Sequence, residues 1–85
     1  MVKFEDLKFY THRSGDGIQA KVHFKNGYSA SVIRTSFSYG GEKGLYEIAV
    51  MKDGNLCYDT PVTDDVLGYL SPYDVDLVLA SIQHL

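Results

Sequence analysis

The segment Ile18–Val32 reads IQAKVHFKNGYSASV and carries the clearest structural pattern of this 85-residue chain. Apolar and polar residues alternate on both sides of Asn26-Gly27, as they do in strands that bury one face. An Asn-Gly pair between two alternating runs is a strong indication of a β-hairpin. The segment therefore predicts two antiparallel strands joined by a tight turn.

The register of this hairpin decides the length of its loop. A loop of two residues would set polar side chains opposite apolar ones on the same face of the sheet. A loop of three residues over 25–27 instead pairs Val22 with Ala30 and keeps the apolar side chains together. It also gives Gly27 the left-handed position of a type I turn with a G1 bulge, which favours a residue without a Cβ atom. We therefore expect the three-residue loop.

A second hairpin of the same kind is expected around Lys52-Asp53-Gly54, since apolar side chains alternate on both sides of it. By the same reasoning, a three-residue loop over 52–54 would pair Val50 with Leu56 and Ile48 with Tyr58.

The residues before the first hairpin indicate one more strand. Apolar and polar side chains alternate from Leu7 to His12, and the stretch 14–17 (SGDG) is typical of a turn. Residues 1–6 are expected to be either a frayed start or a short turn of helix.

The C-terminal segment has the period of a helix. Ser71 stands at the N-cap position, Pro72 at the first helical position and Asp74 at the third, which together are typical of a helix start. The apolar side chains that follow at helical spacing are expected to pack on the sheet: Val75, Val78, Leu79, Ile82 and Leu85.

A shorter helix start is predicted at Thr63-Asp64-Asp65-Val66, giving one turn that ends near Gly68. Residues 1–85 are therefore predicted to be a single α+β domain. Its architecture is a four- or five-stranded antiparallel β-meander with one C-terminal α-helix packed on one face.

Charge is distributed unequally along the chain. Residues 1–52 hold all 8 Lys and Arg residues and 5 acidic ones, whereas residues 53–85 hold six aspartates and no Lys or Arg. This split indicates an acidic surface that meets a basic protein, or two halves whose charges complement each other within the fold. The net charge of −3 disfavours a general nucleic-acid binder, which normally has a basic domain.

The apolar fraction of 45% argues against disorder, and no apolar run approaches the length of a membrane span of about 18 residues. The first residues lack the apolar core of a signal peptide. We therefore expect a soluble, cytoplasmic protein. The single cysteine, Cys57, excludes an internal disulfide and a multi-cysteine zinc site.

The loop 36–44 (SFSYGGEKG) is the least regular part of the chain. Its glycines permit unusual backbone angles, and its two aromatic residues would be costly to expose without a purpose. It is interpreted either as a recognition loop or as a long loop whose aromatic side chains fold back onto the sheet. The residues expected to bind a protein partner are Phe37, Tyr39, Gly40 and Gly41 of this loop, with Asp64, Asp65 and Asp76 of the acidic half.

The outward side of the C-terminal helix is a second candidate surface. At about 100° per residue, one row of side chains falls opposite the core stripe. An outward row with apolar members indicates a partner surface or a homodimer interface, although single exposed apolar residues need no explanation. The residues of this row are Tyr73, Leu77, Ala80 and His84.

The sequence leaves two other functional classes open. A nucleic-acid or nucleotide-binding module would use the basic half through Lys21, His23, Lys25, Arg34 and Lys43. A small enzyme is disfavoured because no two residues have the spacing of a nucleophile and its base. No metal site and no cofactor are expected, since the histidines and Cys57 lack ligand spacing and Cys57 falls in a strand, where it is expected to be inert.

Three stretches resemble small proteins encoded in phage and prophage genomes: Ser38–Gly41, Gly44–Val50 and Thr63–Leu70. The resemblance lies in overall texture and includes no catalytic motif. Proteins of this kind mostly have no assigned role, and those with one often bind host machinery or defence proteins. The resemblance therefore implies a non-enzymatic protein that binds a host protein in the host cytoplasm, and it transfers no functional residues.

Overall fold

A computed structural model describes residues 1–85 and contains a six-stranded sheet with one α-helix. The elements are β1 (Tyr10–Thr11), β2 (Ile18–His23), β3 (Tyr28–Arg34), β4 (Tyr46–Lys52), β5 (Asn55–Leu56), β6 (Leu67–Leu70) and α1 (Pro72–Gln83), with 3₁₀ turns at Phe4–Asp6 and Gly41–Lys43.

Strands β1 to β5 form an antiparallel meander, in which each strand pairs with the next one along the chain. The outer edge of β4 is shared, because β5 pairs with one end of it and β6 with the other. The predicted α+β class, the antiparallel meander and the C-terminal helix are confirmed. The sixth strand is an addition to the predicted four or five.

The first hairpin has the predicted register and loop. Val22 lies opposite Ala30, and the Phe24 N–H donates to the Tyr28 carbonyl at 2.9 Å to close a three-residue loop. Gly27 adopts a φ of 89°, which the left-handed position of this turn requires. The requirement that apolar side chains share one face of the sheet therefore predicted the length of this loop correctly.

The second hairpin differs from its prediction. Met51 pairs with Leu56, so the turn has only two residues, Asp53 and Gly54. Both have positive φ angles, 54° and 80°, as a type I′ turn requires, and Asp-Gly is one of the preferred sequences for that turn. The preference of Asp-Gly for a two-residue turn outweighed the burial of Leu56. The loss of burial is small because β5 ends at Leu56 and has no other apolar side chain.

The shorter turn reverses which side chains of this segment face the core. Leu56 and Tyr58, predicted to lie opposite Val50 and Ile48, are exposed. Cys57 takes the inward position instead: its N–H donates to the Val50 carbonyl at 2.9 Å, and its side chain packs against the core.

The predicted helical turn at 63–68 is also wrong. The Thr63 hydroxyl holds a tight turn by accepting from the Asp65 N–H at 3.0 Å and donating to the Asp65 carbonyl at 2.7 Å. The chain then enters β6, which pairs with β4 beside Tyr46 and Ile48. A strand prevails here because the edge of β4 offers partners for the backbone groups of β6.

The hydrophobic core lies between the sheet and α1. Its buried apolar members are Ala20, Ala30 and Val32 of β2 and β3, Tyr46, Ile48 and Val50 of β4, and Val75, Leu79 and Ile82 of α1. The opposite side of the sheet, termed the open face below, carries Lys21, His23 and Ser29. With 12 residues α1 is the longest helix, and no helix of the protein could cross a membrane.

The N-terminal residues are tied to α1. The Phe4 N–H donates to the Asp76 carboxylate at 2.6 Å, and the Gln83 side-chain amide makes two hydrogen bonds with the backbone of Val2. The ring of Phe4 packs against that of Tyr46, with the centroids 5.1 Å apart. Of the two expected arrangements for residues 1–6, the short turn of helix is the one present.

The start of α1 has the predicted capping box. The Asp74 N–H donates to the Ser71 hydroxyl at 3.1 Å, and the Ser71 N–H donates to the Asp74 carboxylate at 3.0 Å. Replacing Ser71 by alanine is expected to lower the free energy of unfolding by about 1 kcal/mol, because the cap loses its acceptor. Urea denaturation measures this, with Ser81→Ala at an exposed position in the last turn of α1 as a near-neutral control. Equal losses in both variants would contradict the role of the cap.

Candidate functional site

The loop 36–44 is held by hydrogen bonds to Thr35, the buried residue that precedes it. The Ser38 N–H donates to the Thr35 hydroxyl and the Thr35 N–H donates to the Ser38 hydroxyl, both at 2.9 Å. The Phe37 N–H adds a third bond, to the Thr35 hydroxyl at 3.2 Å. Both hydroxyls are buried, and each therefore replaces water as a partner for backbone groups of the loop.

The second half of the loop packs against the first half. The Gly41 N–H donates to the Ser38 carbonyl at 3.0 Å, and the Gly40 carbonyl accepts from the N–H groups of Lys43 and Leu45, also at 3.0 Å. A methyl group on Gly41 would overlap the carbonyl oxygen of Thr35. Glycine is thus required at position 41 for close packing of two backbone segments.

The loop is also fixed to two strands of the sheet. The Tyr39 N–H donates to the Glu47 carboxylate of β4 at 3.0 Å, and the Tyr39 carbonyl accepts from the Tyr69 N–H of β6 at 3.1 Å. Gly68 lies directly against the Tyr39 side chain, where a larger residue would not fit. The backbone of the loop is therefore anchored on both sides of Tyr39.

This anchored loop directs large aromatic side chains outward. Phe37 is 63% exposed and Tyr39 is 60% exposed, and the neighbouring Tyr69 of β6 is 57% exposed. The alternative interpretation, that the aromatic side chains fold back onto the sheet, does not fit these exposures. We call Phe37, Tyr39 and Tyr69 the aromatic surface.

A second loop supports the Phe37 end of this surface. The His12 ring meets the Phe37 ring edge to face, with centroids 5.7 Å apart. The Asp16 carboxylate accepts hydrogen bonds from the Ser36 N–H and hydroxyl. The 12–17 turn and the 36–44 loop therefore form one hydrogen-bonded end of the sheet.

The five basic residues considered for a nucleic-acid face do not share a surface. Lys21 and His23 lie on the open face, and Lys25 lies in the turn of the first hairpin. Arg34 is on the core side, where its guanidinium stacks on the Tyr46 ring at 5.2 Å and donates to the Tyr46 hydroxyl at 3.2 Å. Arg34 is therefore engaged with the core, whereas Lys21, His23 and Lys25 remain close to one another.

Lys43 belongs instead to the aromatic surface. Its ammonium group lies 5.9 Å from the centroid of the Tyr69 ring, at the outer range of a cation–π contact. Tyr39, Tyr69 and Lys43 line a shallow depression of about 270 Å³. The loop thus presents aromatic area together with the opposite charges of Glu42 and Lys43.

The three aspartates of the predicted acidic contact have different environments. Asp64 and Asp65 are exposed on the segment that leads into β6. Asp76 is half-buried, and one of its carboxylate oxygens accepts the hydrogen bond from the Phe4 N–H within the fold. This pairing escaped sequence analysis because the two residues are 72 positions apart.

The outward row of α1 borders an apolar groove. Leu77, Ala80 and His84 line one wall, and Pro61, Val62 and Leu67 line the other. The groove has a volume of about 710 Å³. Tyr73 is exposed one turn before Leu77 and does not line the groove, so the predicted row is divided between two surroundings.

Cys57 does not have the environment of a nucleophile. Its thiol donates to the Asp59 carboxylate at 3.1 Å. This hydrogen bond, followed by partial burial, raises the pKa of the Cys57 thiol. The thiol therefore stays protonated at neutral pH, whereas a reactive cysteine requires a lowered pKa. No three His, Cys, Asp or Glu side chains are grouped to hold a metal ion.

Two parts of these surfaces were missed by sequence analysis: Tyr69 of the aromatic surface and the 61–67 wall of the groove. Both depend on the path of the chain into β6, which begins where a helical turn was expected to end near Gly68. The available signal was the near-continuous apolar run from Val66 to Leu70, which fits a short strand as well as a helix.

The chain was compared with known proteins at three levels. No protein family, no curated protein and no solved structure matches it.

Proposed function

We propose that this protein is a non-enzymatic binding module that contacts a protein partner through the aromatic surface. The observation that carries the proposal is the combination of a loop anchored by hydrogen bonds with outward side chains at Phe37 and Tyr39. In a loop without a binding role, aromatic side chains would be more stable if they were buried. Their exposure on an ordered loop therefore supports a binding role.

The order of the loop favours binding for a thermodynamic reason. A flexible loop loses conformational freedom when it binds, and that loss opposes association. Here the loop backbone is already fixed by Thr35, Ser38 and Glu47. Aromatic residues are also enriched among those that contribute most to protein–protein affinity.

The exposed carboxylates of Asp64 and Asp65 would attract a basic partner surface and orient it, mainly by raising the association rate. The resemblance to phage and prophage proteins would make the partner a protein of the host cell. Binding would cover the surface of the partner that performs the partner's own function.

The shape of the aromatic surface favours a protein partner over a small-molecule substrate at this site. The depression beside Tyr39 measures about 270 Å³, below the range of about 300–1,000 Å³ typical of small-molecule sites. It is lined mainly by exposed side chains and lacks a histidine or cysteine.

Site-specific photo-crosslinking tests the proposal. The chain is expressed in its source cell with p-benzoylphenylalanine in place of Phe37, of Tyr39 or, as the control, of Leu56. Leu56 is 52% exposed and lies at the opposite end of the sheet. We expect the same crosslinked protein from positions 37 and 39 and none of it from position 56.

A second arm tests the charge contribution. Replacing Asp64 and Asp65 by asparagine is expected to reduce the yield of that crosslink at low salt more than at high salt, because exposed charges are screened. Equal crosslinking from all three positions, or none from positions 37 and 39, would contradict the proposal.

A further inference from the structure

The groove beside α1 is a second surface of the molecule, separate from the 36–44 loop. It runs along α1 from Leu77 and past the helix end to Leu85, about 12 Å at a rise of about 1.5 Å per residue. Its rim is apolar and open, with Leu77 52% exposed. The groove therefore has the length of about two turns of helix.

The middle of the α1 wall has small side chains, Ala80 and Ser81. The distance at which two helices pack depends on the side chains at their contact, and small ones allow the axes to approach. The larger side chains of Leu77 and Val62 also line the groove. The shape suits a helix laid along α1.

Negative charge lies beside the second wall of the groove. Asp64 and Asp65 are exposed on the segment that forms this wall, whereas the first hairpin turn, which contains Lys25, lies at the Leu85 end. A second copy of this chain would carry the same pair of aspartates, and like charges across an interface oppose association. A basic occupant would instead be attracted.

We propose that the groove between α1 and residues 61–67 binds a basic amphipathic helix, with its apolar side against Leu77, Ala80 and Val62 and its Lys or Arg residues beside Asp64 and Asp65. This inference rests on the proposed function in one respect, namely that the partner is a protein. It adds the kind of segment that the partner contributes.

Fluorescence anisotropy tests the proposal with a defined probe. The probe is a labelled 14-residue amphipathic peptide with leucine on one side and lysine elsewhere, and its counterpart carries glutamate in place of every lysine. The full-length chain is expected to bind the lysine peptide and to leave the glutamate peptide free.

Variants of the chain distinguish groove binding from general attraction to an acidic protein. Leu77→Glu is expected to weaken binding of the lysine peptide by about tenfold, because a leucine contact is lost. If charge alone mattered, the added carboxylate would strengthen binding. Ser81→Gln, at an exposed site, fills the groove without a charge and is expected to weaken binding as well.

Two control variants lie outside the groove. Tyr73→Glu adds the same charge on an exposed site of α1, and Asp53→Asn removes a charge from the second hairpin turn. Neither is expected to weaken peptide binding as Leu77→Glu does. Asp64→Asn with Asp65→Asn is expected to weaken it at low salt only.

Three results would overturn the inference. The first is equal binding of the lysine and glutamate peptides. The second is wild-type affinity in both Leu77→Glu and Ser81→Gln. The third is a homodimer in light scattering that Leu77→Glu dissociates, which would make a second copy the occupant. The crosslinking experiment probes Phe37 and Tyr39, whereas the peptide experiment probes the groove. Failure of the proposed function and failure of this inference are therefore distinguishable.

Discussion

A Gly41→Ala variant is expected to lose the structure of the 36–44 loop. The added methyl group would overlap the Thr35 carbonyl and crowd the Ser38 hydroxyl, which lies 2.6 Å from its position. Neither group can retreat easily, because the two residues are buried and hydrogen-bonded to each other. Overpacking combined with the loss of buried hydrogen bonds is expected to cost about 3 kcal/mol or more of unfolding free energy.

Urea denaturation measures this loss, and Gly44→Ala is the matched control in the same loop. Gly44 has no neighbour within 4 Å of an added methyl group, but its φ is 77°. Alanine there costs only the left-handed conformation, about 1–2 kcal/mol. The Gly41 variant must therefore be the less stable of the two, and the opposite order would contradict the packing assigned to position 41.

An Ile48→Ala variant is expected to lose about 4 kcal/mol of unfolding free energy, because a large side chain is removed from a fully buried position. Ile48 is 0% exposed and lies in β4, beneath α1 and beside the pairing site of β6. The resulting cavity would loosen the strand that also positions Glu47 under the 36–44 loop.

The control for Ile48 is Ile33→Ala in the neighbouring strand. Ile33 pairs with Glu47 and is half-buried on the open face. Its replacement leaves no enclosed cavity, so a loss of about 1 kcal/mol is expected from the smaller buried area. Thermal and urea denaturation of both variants measure the difference. Similar losses at the two positions would contradict a core on the α1 side of the sheet.

The first hairpin and α1 were predictable because their determinants are local. The sequence of residues 18–32 contains both the alternation and the glycine that its turn requires, and Ser71, Pro72 and Asp74 all stand within one helical turn. In these segments local preference and burial favour the same structure, and the predicted loop and cap are confirmed.

The second hairpin and β6 were not predictable in the same way. At Asp53-Gly54 the turn preference and the apolar pattern favoured different loops, and the turn preference prevailed because β5 is only two residues long. β6 forms because β4 offers it a free edge, and no local pattern reveals a partner about 20 residues away.

The same distinction between local and non-local determinants applies to the candidate site. Phe37 and Tyr39 were identified because an irregular loop with exposed aromatic residues has a compositional signature. Arg34 and Asp76 were expected at contact surfaces, but each makes a hydrogen bond within the fold, to Tyr46 and Phe4, residues that become their neighbours only in the folded chain. Charge in a sequence does not indicate which side chains remain available.

The central claim is that the 36–44 loop is ordered before any partner binds. Backbone ¹⁵N relaxation of the free protein tests it directly, through the N–H groups of Ser38, Tyr39, Gly41 and Lys43. The account predicts order parameters near those of the strands, about 0.85, because each of these groups is hydrogen-bonded. Values below about 0.6 across the loop, with β3 and β4 rigid, would contradict it.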